Sequence, residues 1–303
     1  MDTPVLFLIF NRPDTTFRVF EEIRKQKPAS LFIAADGPRA GIKDDPLNCR
    51  QARGVADQID WNCDVSTLFR DNNLGCGPAV SEAISWFFSN NSEGIILEDD
   101  CLPEPSFFRY CEELLKYYRN NKKVMMISGN NFQNGIRRGN ESYYFSRYSH
   151  IWGWASWRRA WEHYDYDIKT FPEFLETGRL KKIFTDKKQF RTMKKIMSRA
   201  HRKYYNTWDF QWNYALWEND GLCAIPENNL VTNIGFDVRG THTNNINTKN
   251  ANLPVKPLAF PLRHPVNVMV DQNADDYAFL RVFYIPVYIK LIIVMKRIFS
   301  ILK

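Results

Sequence analysis

The first 130 residues alternate short apolar runs with longer amphipathic segments, and this alternation limits the chain to few folds. The runs have the length and content of buried strands. They lie at 5–10, 31–35, 65–69, 94–97 and 124–128. Between them apolar residues recur at helical spacing, most clearly in 14–25 and 105–118. Strand–helix–strand repetition predicts the α/β class, with a mostly parallel sheet flanked by helices.

Every one of these runs ends in polar residues. The strand ends are Asn11-Arg12-Pro13, Asp36-Gly37-Pro38, Arg70-Asp71-Asn72, Glu98-Asp99-Asp100 and Gly129-Asn130-Asn131. A single polar loop carries little weight, because loops are polar in most proteins. The carboxyl ends of parallel strands, however, share one edge of the sheet, and ligands bind in the crevice there. We therefore expect one site for a ligand that is charged and rich in hydrogen-bonding groups.

Among these strand ends, the acid triplet Glu98-Asp99-Asp100 has the greatest repulsion between like charges. Crowded carboxylates raise one another's pKa unless a cation neutralises them. Oxygen ligands suit Mg²⁺ or Mn²⁺, which complete their coordination with substrate phosphates and water. The triplet therefore predicts a divalent metal that bridges a diphosphate and stabilises it as a leaving group. On an ordinary surface the same three letters would indicate only a solvated acidic turn.

The ends of the first three strands supply candidates for nucleotide binding. Asp36 can accept hydrogen bonds from a base or a ribose, although Asp also serves in Asx turns. Arg12 and Arg70 provide positive charge beside a phosphate. Gly75 and Gly77 open an expected helix whose amides could face an anion. Their spacing fits neither a Walker A loop nor G-x-G-x-x-G, so a capped helix start is an equal alternative.

The stretch WDFQW places two indole rings beside a carboxylate. Trp208 and Trp212 share one face if the segment is helical, with Asp209 at its edge. Rings that hold an acceptor sugar, beside a carboxylate that takes its hydroxyl proton, would make an acceptor-binding site. A buried aromatic pair with an acid at a helix start explains the same letters. His242, in RGTHT, is either structural or a donor-site ligand.

Composition leaves the partner open. Lys and Arg number 41 against 34 Asp and Glu, and the net charge of +7 suits a nucleic acid, an anionic membrane or a phosphorylated substrate. Six cysteines without C-x-x-C spacing indicate reduced thiols and a cytoplasmic protein. The N-terminal apolar run has no preceding Lys or Arg, so no signal peptide is predicted.

Past residue 140 the alternation of apolar runs and amphipathic segments gives way to aromatic and basic segments. Four tryptophans lie in 150–161, and the Lys/Arg-rich stretch 179–203 predicts a helix with a solvated face. The C-terminal segment 277–303 is apolar with interspersed Lys and Arg, and its uncharged run 282–289 is too short to span a bilayer. Such a segment suits the plane of an anionic membrane surface. Packing on the domain or on a second subunit is an equal alternative.

Seven short stretches, in order over roughly residues 4–245, resemble the metal-dependent glycosyltransferases of the GT-A fold. They are PVLFLIFNRPDT, ADGPR, RDNNLG, IILEDD, WDFQW, PENN and GTH. The likeness is greatest to the β-1,2-N-acetylglucosaminyltransferases and their bacterial relatives, in which E-D-D replaces the commoner D-x-D. The resemblance implies inverting transfer of a sugar from a nucleotide-diphosphate donor, expected to be UDP-linked, to a hydroxyl of a glycan or lipid-linked acceptor. It implies Mn²⁺ or Mg²⁺ as the cofactor.

The resemblance also implies a role for each matching residue. The implied donor-site residues are Arg12, Asp36, Glu98, Asp99 and His242, and Asn11 and Arg70, which follow the first and third apolar runs, are further candidates for donor binding. Of these, Arg12 would contact the diphosphate and Asp36 would contact the uracil. Glu98 and Asp99 would hold the ribose and the donor sugar. Asp100 is the implied metal ligand, and Asp209 the implied general base.

These expectations define the organisation of the chain. Residues 1–265 would form the glycosyltransferase domain, with a nucleotide-sugar half at 1–130 and an acceptor and catalytic half at 131–265, followed by a basic tail at 266–303. The expected setting is bacterial surface polysaccharide synthesis, in the cytoplasm at the inner face of the plasma membrane, without nucleic acid. One alternative is a sugar nucleotidyltransferase, which would need a Gly-rich basic signature after the first strand. The other is a non-catalytic glycan- or nucleic-acid-binding protein, which leaves the acid triplet unexplained.

Overall fold

The computed structural model describes residues 1–236 and 250–284 and confirms the predicted α/β class. The strands of these residues are β1 (Val5–Ile9), β2 (Ser30–Ala35), β3 (Asp64–Phe69), β4 (Glu93–Glu98), β5 (Cys101–Pro103), β6 (Val124–Ser128), β7 (Tyr143–Ser146), β8 (Trp154–Trp157), β9 (Leu222–Pro226) and β10 (Val231–Asn233). The five strands predicted from the apolar runs are β1, β2, β3, β4 and β6.

The helices lie between and around these strands. They are α1 (Pro13–Gln26), α2 (Asp45–Arg53), α3 (Cys76–Asn90), α4 (Ser106–Tyr118), α5 (Arg158–Trp161), α6 (Phe171–Glu176), α7 (Arg179–Ile183), α8 (Lys187–His201), α9 (Asp209–Glu218) and α10 (Gln272–Ala278). A 3₁₀ turn (Gly54–Gln58) follows α2, and a π-helical turn (Phe279–Phe283) follows α10.

The strand order places the acid triplet beside the end of β1. Among the described residues, the main sheet has the order β3-β2-β1-β4-β8-β6-β9-β7. Phe7 of β1 pairs in parallel with Ile33 of β2 on one side and with Leu97 of β4 on the other. The chain steps outward from β1 to β3 and then returns to the far side of β1. The crevice beyond β1 and β4 is therefore a topological switch point, where α/β sheets bind ligands.

β1 is apolar throughout because both of its faces are covered. Phe7 and Ile9 point to the face packed by α1 and α4, and Leu6 and Leu8 point to the face packed by α3 and α9. A parallel strand buried on both faces needs a continuous apolar run and not an alternating one. Each large apolar side chain buried in this way contributes about 1.5–3 kcal/mol. The covered sheet holds the strand ends in fixed positions at its carboxyl edge.

The two halves of the chain share the main sheet through an antiparallel strand. Ala155 of β8 pairs with Ile95 of β4 and with Ile127 of β6. On one side of β8, the ring of Trp154 lies 5.6 Å from Trp208 and 5.9 Å from Trp212, between ring centroids. Trp154, Trp208 and Trp212, which we call the tryptophan cluster, therefore belong to the core and fix the start of α9 against the sheet.

The basic stretch 179–203 forms two helices where the sequence predicted one. Asp186 separates α7 from α8 and caps α8 by accepting hydrogen bonds from the backbone amides of Lys188 and Gln189. Met193 and Met197 of α8 are buried, which sets the rotation of the helix about its axis. The remaining faces of α8 carry its basic side chains.

The described part of the expected C-terminal tail packs on the sheet. Within 266–284, the buried Asp275 accepts hydrogen bonds from Ser146 Oγ at 2.5 Å and from the Arg147 amide at 3.2 Å. Residues 285–303 of the expected membrane segment 277–303 lie outside the described residues. Among those described, no helix is both long and apolar enough to cross a membrane. From 277 to 284 the segment packs on the domain, with Ala278 and Phe279 buried, and membrane binding stays a prediction.

Candidate functional site

A cavity of about 1080 Å³ lies at the carboxyl edge of the sheet. Its wall includes the ends of β1, β2 and β4, the start of α3, one side of α8 and the segment that leads into α9. The strand ends predicted to converge therefore do so. The site residues predicted from sequence that line this cavity are Asn11, Arg12, Asp36, Arg70, Glu98, Asp99, Asp100, Trp208 and Asp209. His242 lies outside the described residues.

Arg12 is the counter-charge of the acid triplet. Its Nη2 donates to Asp99 Oδ1 at 2.5 Å and to Asp100 Oδ2 at 3.0 Å. Burial alone would lower the pKa of Arg12, but the charges and hydrogen bonds of the two aspartates outweigh it and raise that pKa. The resemblance implies a diphosphate contact for this arginine, and that contact stays a prediction. In the structure, its guanidinium is paired with the acids of the neighbouring strand.

Asp99 joins the end of β4 to the turn between β1 and α1. It is 3 % exposed, and its carboxylate accepts from the Phe10 amide at 3.1 Å and from Thr16 Oγ1 at 3.5 Å, in addition to Arg12. Burial raises its pKa even though Arg12 opposes the shift. Both carboxylate oxygens are therefore already engaged, and a direct contact with a donor sugar would have to displace one of these bonds.

Glu98 and Asp100 are the other candidate oxygen donors for a cation, although Asp100 also accepts hydrogen bonds, from Arg12 Nη2 at 3.0 Å and from Cys101 Sγ at 3.4 Å. Glu98 Oε1 is closed to solvent and has no hydrogen-bond partner among the described residues. Burial, with added repulsion from Asp100 and Asp99, raises the pKa of Glu98 to about 8. Among the described residues, no group of three His, Cys, Asp or Glu side chains could hold a metal ion. Two carboxylates fit Mg²⁺ or Mn²⁺ only if substrate oxygens and water complete the coordination.

Gly235 covers the ion pair closely. The backbone of Ile234 donates to the carbonyl of Asp100 at 2.8 Å, and β10 pairs with β5 just beyond the triplet. A Cβ atom at Gly235 would collide with the side chains of Asp100 and Arg12. A glycine at this position therefore lets the chain after β10 pass directly over the acids.

Asp36 organises a loop. Its carboxylate accepts from the amides of Leu74 and Gly75, both at 3.0 Å, and from Asn73 Nδ2 at 2.9 Å. The Gly77 amide donates to Asn206 Oδ1 at 2.9 Å. The amides of Gly75 and Gly77, which could have faced an anion at the start of α3, are thus already used. For Asp36, the turn-forming alternative describes the structure better than a vacant base-binding carboxylate.

Asn11 and Arg70 belong to separate polar contacts on the cavity wall. Asn11 Nδ2 donates to Asp45 Oδ1 at 2.8 Å, and Arg39 Nε donates to Asp45 Oδ2 at 2.6 Å. The hydrogen bonds from Arg39, and that from Asn11, lower the pKa of the buried Asp45 despite its desolvation. Arg70 Nη2 lies 3.2 Å from Glu82 Oε2. The sequence patterns did not indicate Arg39, in the loop after β2, or Asp45, the first residue of α2.

Asp209 is the first residue of α9 and lines the cavity, as expected of an acceptor-side carboxylate. Thr207 Oγ1 donates a hydrogen bond to Asp209 Oδ1. The neighbouring rings correct the sequence expectation, because Trp208 is 1 % exposed and Trp212 is fully buried. Rings packed into the tryptophan cluster have no free face for a sugar. They position Asp209 from behind and do not form an acceptor-stacking surface.

Three further polar side chains line the cavity near the end of β6. Asn130, Ser149 and His150 are buried, and Asn130 Nδ2, Ser149 Oγ and His150 Nε2 have no hydrogen-bond partner among the described residues. Desolvation lowers the pKa of His150 to about 3, so its ring is neutral at pH 7. Asn130 belongs to a strand end that the sequence had indicated. The other two follow no apolar run and gave no signal of this kind.

Comparison with known proteins gives only distant similarities. No family profile and no curated relative matches the chain. HddC from Yersinia pseudotuberculosis is 12 % identical, with 57 % of this chain and 86 % of that one covered at a TM-score of 0.33. A cytidylyltransferase from Leptospira borgpetersenii is 13 % identical, with 54 % of this chain and 63 % of that one covered at a TM-score of 0.33. A putative glucose-1-phosphate thymidylyltransferase from Bacillus anthracis is 6 % identical, with 53 % of this chain and 73 % of that one covered at a TM-score of 0.33. Structural similarities as weak as these give no information about the activity of this chain.

Replacing Arg12 should destabilise the fold strongly. Arg12→Met keeps most of the apolar stem but leaves the buried Asp99 and Asp100 without their cation, and breaking such a pair costs about 3–5 kcal/mol. Urea unfolding at pH 7 measures this loss. The control is Arg18→Met, which removes an exposed arginine of α1 and should change stability by less than about 0.5 kcal/mol. Equal losses in both variants would contradict the assigned role of Arg12.

Glu98 should make stability fall as the pH rises. Its pKa is about 8 in the folded chain and 4.5 ordinarily, so between these values the unfolded chain gives up a proton that the folded chain keeps. Glu98→Gln removes this effect. In metal-free buffer, the variant should match wild type near pH 4 and exceed it by about 2–4 kcal/mol near pH 8. Stability curves that stay parallel for wild type, Glu98→Gln and the exposed control Glu176→Gln would refute this.

Proposed function

We propose that the chain is an inverting glycosyltransferase that moves a sugar from a nucleotide-diphosphate donor, UDP-linked by resemblance, to a hydroxyl of a glycan or lipid-linked acceptor. The observation that carries the proposal is the shared cavity of the acid triplet and Asp209. These carboxylates come from distant parts of the chain. The charge of Asp209 adds to the raised pKa of Glu98, which is consistent with their lying near each other.

The polar groups of the cavity support a sugar as the reacting group. A sugar presents several hydroxyls, each of which donates and accepts hydrogen bonds. Asn130 Nδ2, Ser149 Oγ and His150 Nε2 lie at the same cavity without partners among the described residues. Leaving such groups unpaired costs about 1–3 kcal/mol each. The three atoms are closed to solvent, so a ligand would gain affinity from them only where the cavity wall shifts to bring them within hydrogen-bonding distance.

The proposed reaction assigns one proton transfer to Asp209. Its carboxylate accepts the proton of the acceptor hydroxyl while that oxygen attacks the anomeric carbon and the bond to the diphosphate breaks. The hydrogen bond from Thr207 orients the carboxylate for this task. Arg12 supplies positive charge at the end of β1, beside the expected position of the leaving group. A divalent cation held by Glu98 and Asp100 would add charge neutralisation of the diphosphate.

A sugar nucleotidyltransferase is the second candidate. The solved structures with partial overlap include proteins described as a cytidylyltransferase and a thymidylyltransferase. Their TM-scores do not decide between the two activities. The second activity joins a nucleoside triphosphate to a sugar 1-phosphate and releases diphosphate, so the products separate the candidates.

The biological setting remains part of the proposal. Synthesis of a bacterial surface polysaccharide at the inner face of the plasma membrane agrees with the reduced cysteines and the basic C-terminal sequence. Binding of segment 277–303 to an anionic membrane stays a prediction, because most of that segment lies outside the described residues.

The test is UDP release from a panel of UDP-sugars, measured by chromatography with Mn²⁺ and with EDTA. Wild type should release UDP only with the metal. Asp209→Asn should lower kcat by about 10²–10⁴, the usual contribution of a general base, and keep donor affinity. Asp100→Ala should lose metal-dependent donor binding. The control is Asp57→Asn, which changes an exposed acid that does not line the cavity and should match wild type.

Two results would overturn the proposal. One is the absence of metal-dependent UDP release with every donor. The other is release of diphosphate from a nucleoside triphosphate and a sugar 1-phosphate in the parallel assay, which would select the nucleotidyltransferase. A near wild-type rate in Asp209→Asn would remove Asp209 from the role of base.

A further inference from the structure

One face of α8 lines the cavity with positive charge. Arg191, Lys195 and Arg199 are spaced four residues apart, so they lie on one side of the helix with a rise of about 6 Å between neighbours. All three are exposed, and all three line the cavity. We call this set the basic face of α8. The sequence predicted only a solvated helix face here.

Packing on the other side of the helix fixes this orientation. Met193 and Met197 are 1 % exposed and pack with Tyr214 and Trp217 of α9 in one cluster. Burying this side of α8 turns the basic face toward the cavity. The rotation of the helix is therefore determined by its apolar residues.

The basic face has no acidic partner within the part of the chain that is described. No salt bridge there joins Arg191, Lys195 or Arg199 to a carboxylate, whereas Arg12, Arg39 and Arg70 are all paired. Arg199 instead donates to the Tyr205 hydroxyl at 3.3 Å and lies over the Tyr204 ring at 5.2 Å. Charge on this wall is thus available to an anionic ligand.

Apolar side chains adjoin the basic face. Ile196 of α8 and the side chains of Phe283 and Tyr284 line the same cavity. The ammonium of Lys188 lies 4.8 Å from the centre of the Tyr284 ring. Cations beside apolar and aromatic side chains suit a ligand that combines an anionic group with an apolar portion.

We propose, building on the proposed function, that the acceptor bears a phosphate or diphosphate and that the basic face of α8 binds it. The acceptor hydroxyl must reach Asp209, and α8 packs on the helix that begins with this residue. The acid triplet outnumbers its single paired arginine, so an anionic acceptor is repelled there and attracted to α8. An uncharged glycan acceptor would gain nothing from this charge.

The test measures binding of phosphate probes by calorimetry to the full chain without divalent ions or donor. The probes are glucose 1-phosphate, citronellyl phosphate and the uncharged octyl glucoside. Lys195→Ala should weaken both phosphates about tenfold, the worth of one charge-assisted hydrogen bond, and leave octyl glucoside unchanged. Arg191→Ala and Arg199→Ala should act in the same direction.

Lys194→Ala is the matched control. Lys194 is an exposed lysine of the same helix, next to Lys195 in sequence, and it does not line the cavity. Its removal should change phosphate affinity less than twofold. Equal effects of Lys194→Ala and Lys195→Ala would show nonspecific attraction to a basic helix and overturn the proposal. So would the absence of binding by either phosphate.

The probes also separate the two sources of the phosphate. Tighter binding of citronellyl phosphate that Phe283→Ala removes would indicate a lipid-linked acceptor, and equal binding of both would indicate a soluble sugar phosphate. Displacement of either probe by UDP in metal-free buffer would place the basic face in the donor site and refute the acceptor assignment. The inference fails independently of the proposed function if wild type releases UDP from its donor but binds no phosphate probe.

Discussion

The ion pair between Arg12 and the aspartates of β4 is the interaction on which the site depends. Three consecutive acids at the end of a buried strand would repel one another, and uncompensated charge in a protein interior is costly. The compensating cation comes from the end of β1, because the parallel pairing of β1 with β4 brings the two strand ends together at the switch point. Asp99 then ties both strand ends to α1, and Gly235 lets the chain after β10 pass over the pair. The remainder of the cavity is arranged around this ion-paired cluster, in which the acids outnumber the arginine.

The fold and the position of the site could be predicted because they depend on local signals. Continuous apolar runs define strands buried on both faces, and parallel strands bring their carboxyl ends to one edge. The partners of individual side chains could not be predicted in the same way. That Arg12 pairs with acids, and that Asp36 holds the loop at Leu74, depends on contacts between residues far apart in sequence. The burial of Trp208 depends on the antiparallel strand β8, whose place in the sheet no local pattern indicates.

Charge is distributed unevenly around the cavity, and this distribution distinguishes the two substrates of the proposed reaction. Carboxylates dominate at the strand ends, where a diphosphate needs Arg12 and a divalent cation to bind. The basic face of α8 provides positive charge that has no acidic partner among the described residues, on the wall that leads to Asp209. Neutral polar groups such as His150 lie at the same cavity without partners among the described residues. A donor diphosphate, an anionic acceptor and a transferred sugar would each meet groups of suited chemistry.

The most direct test of the central claim is a crystal structure of the chain with UDP and Mn²⁺. We expect the diphosphate in the crevice beyond β1 and β4, with Mn²⁺ bound to Asp100 and with Arg12 beside the phosphate oxygens. The ion pair between Arg12 and Asp100 would then be loosened, while the contacts of Asp99 to the start of α1 would remain. UDP bound outside this crevice, or Mn²⁺ bound without contact to the acid triplet, would contradict the account.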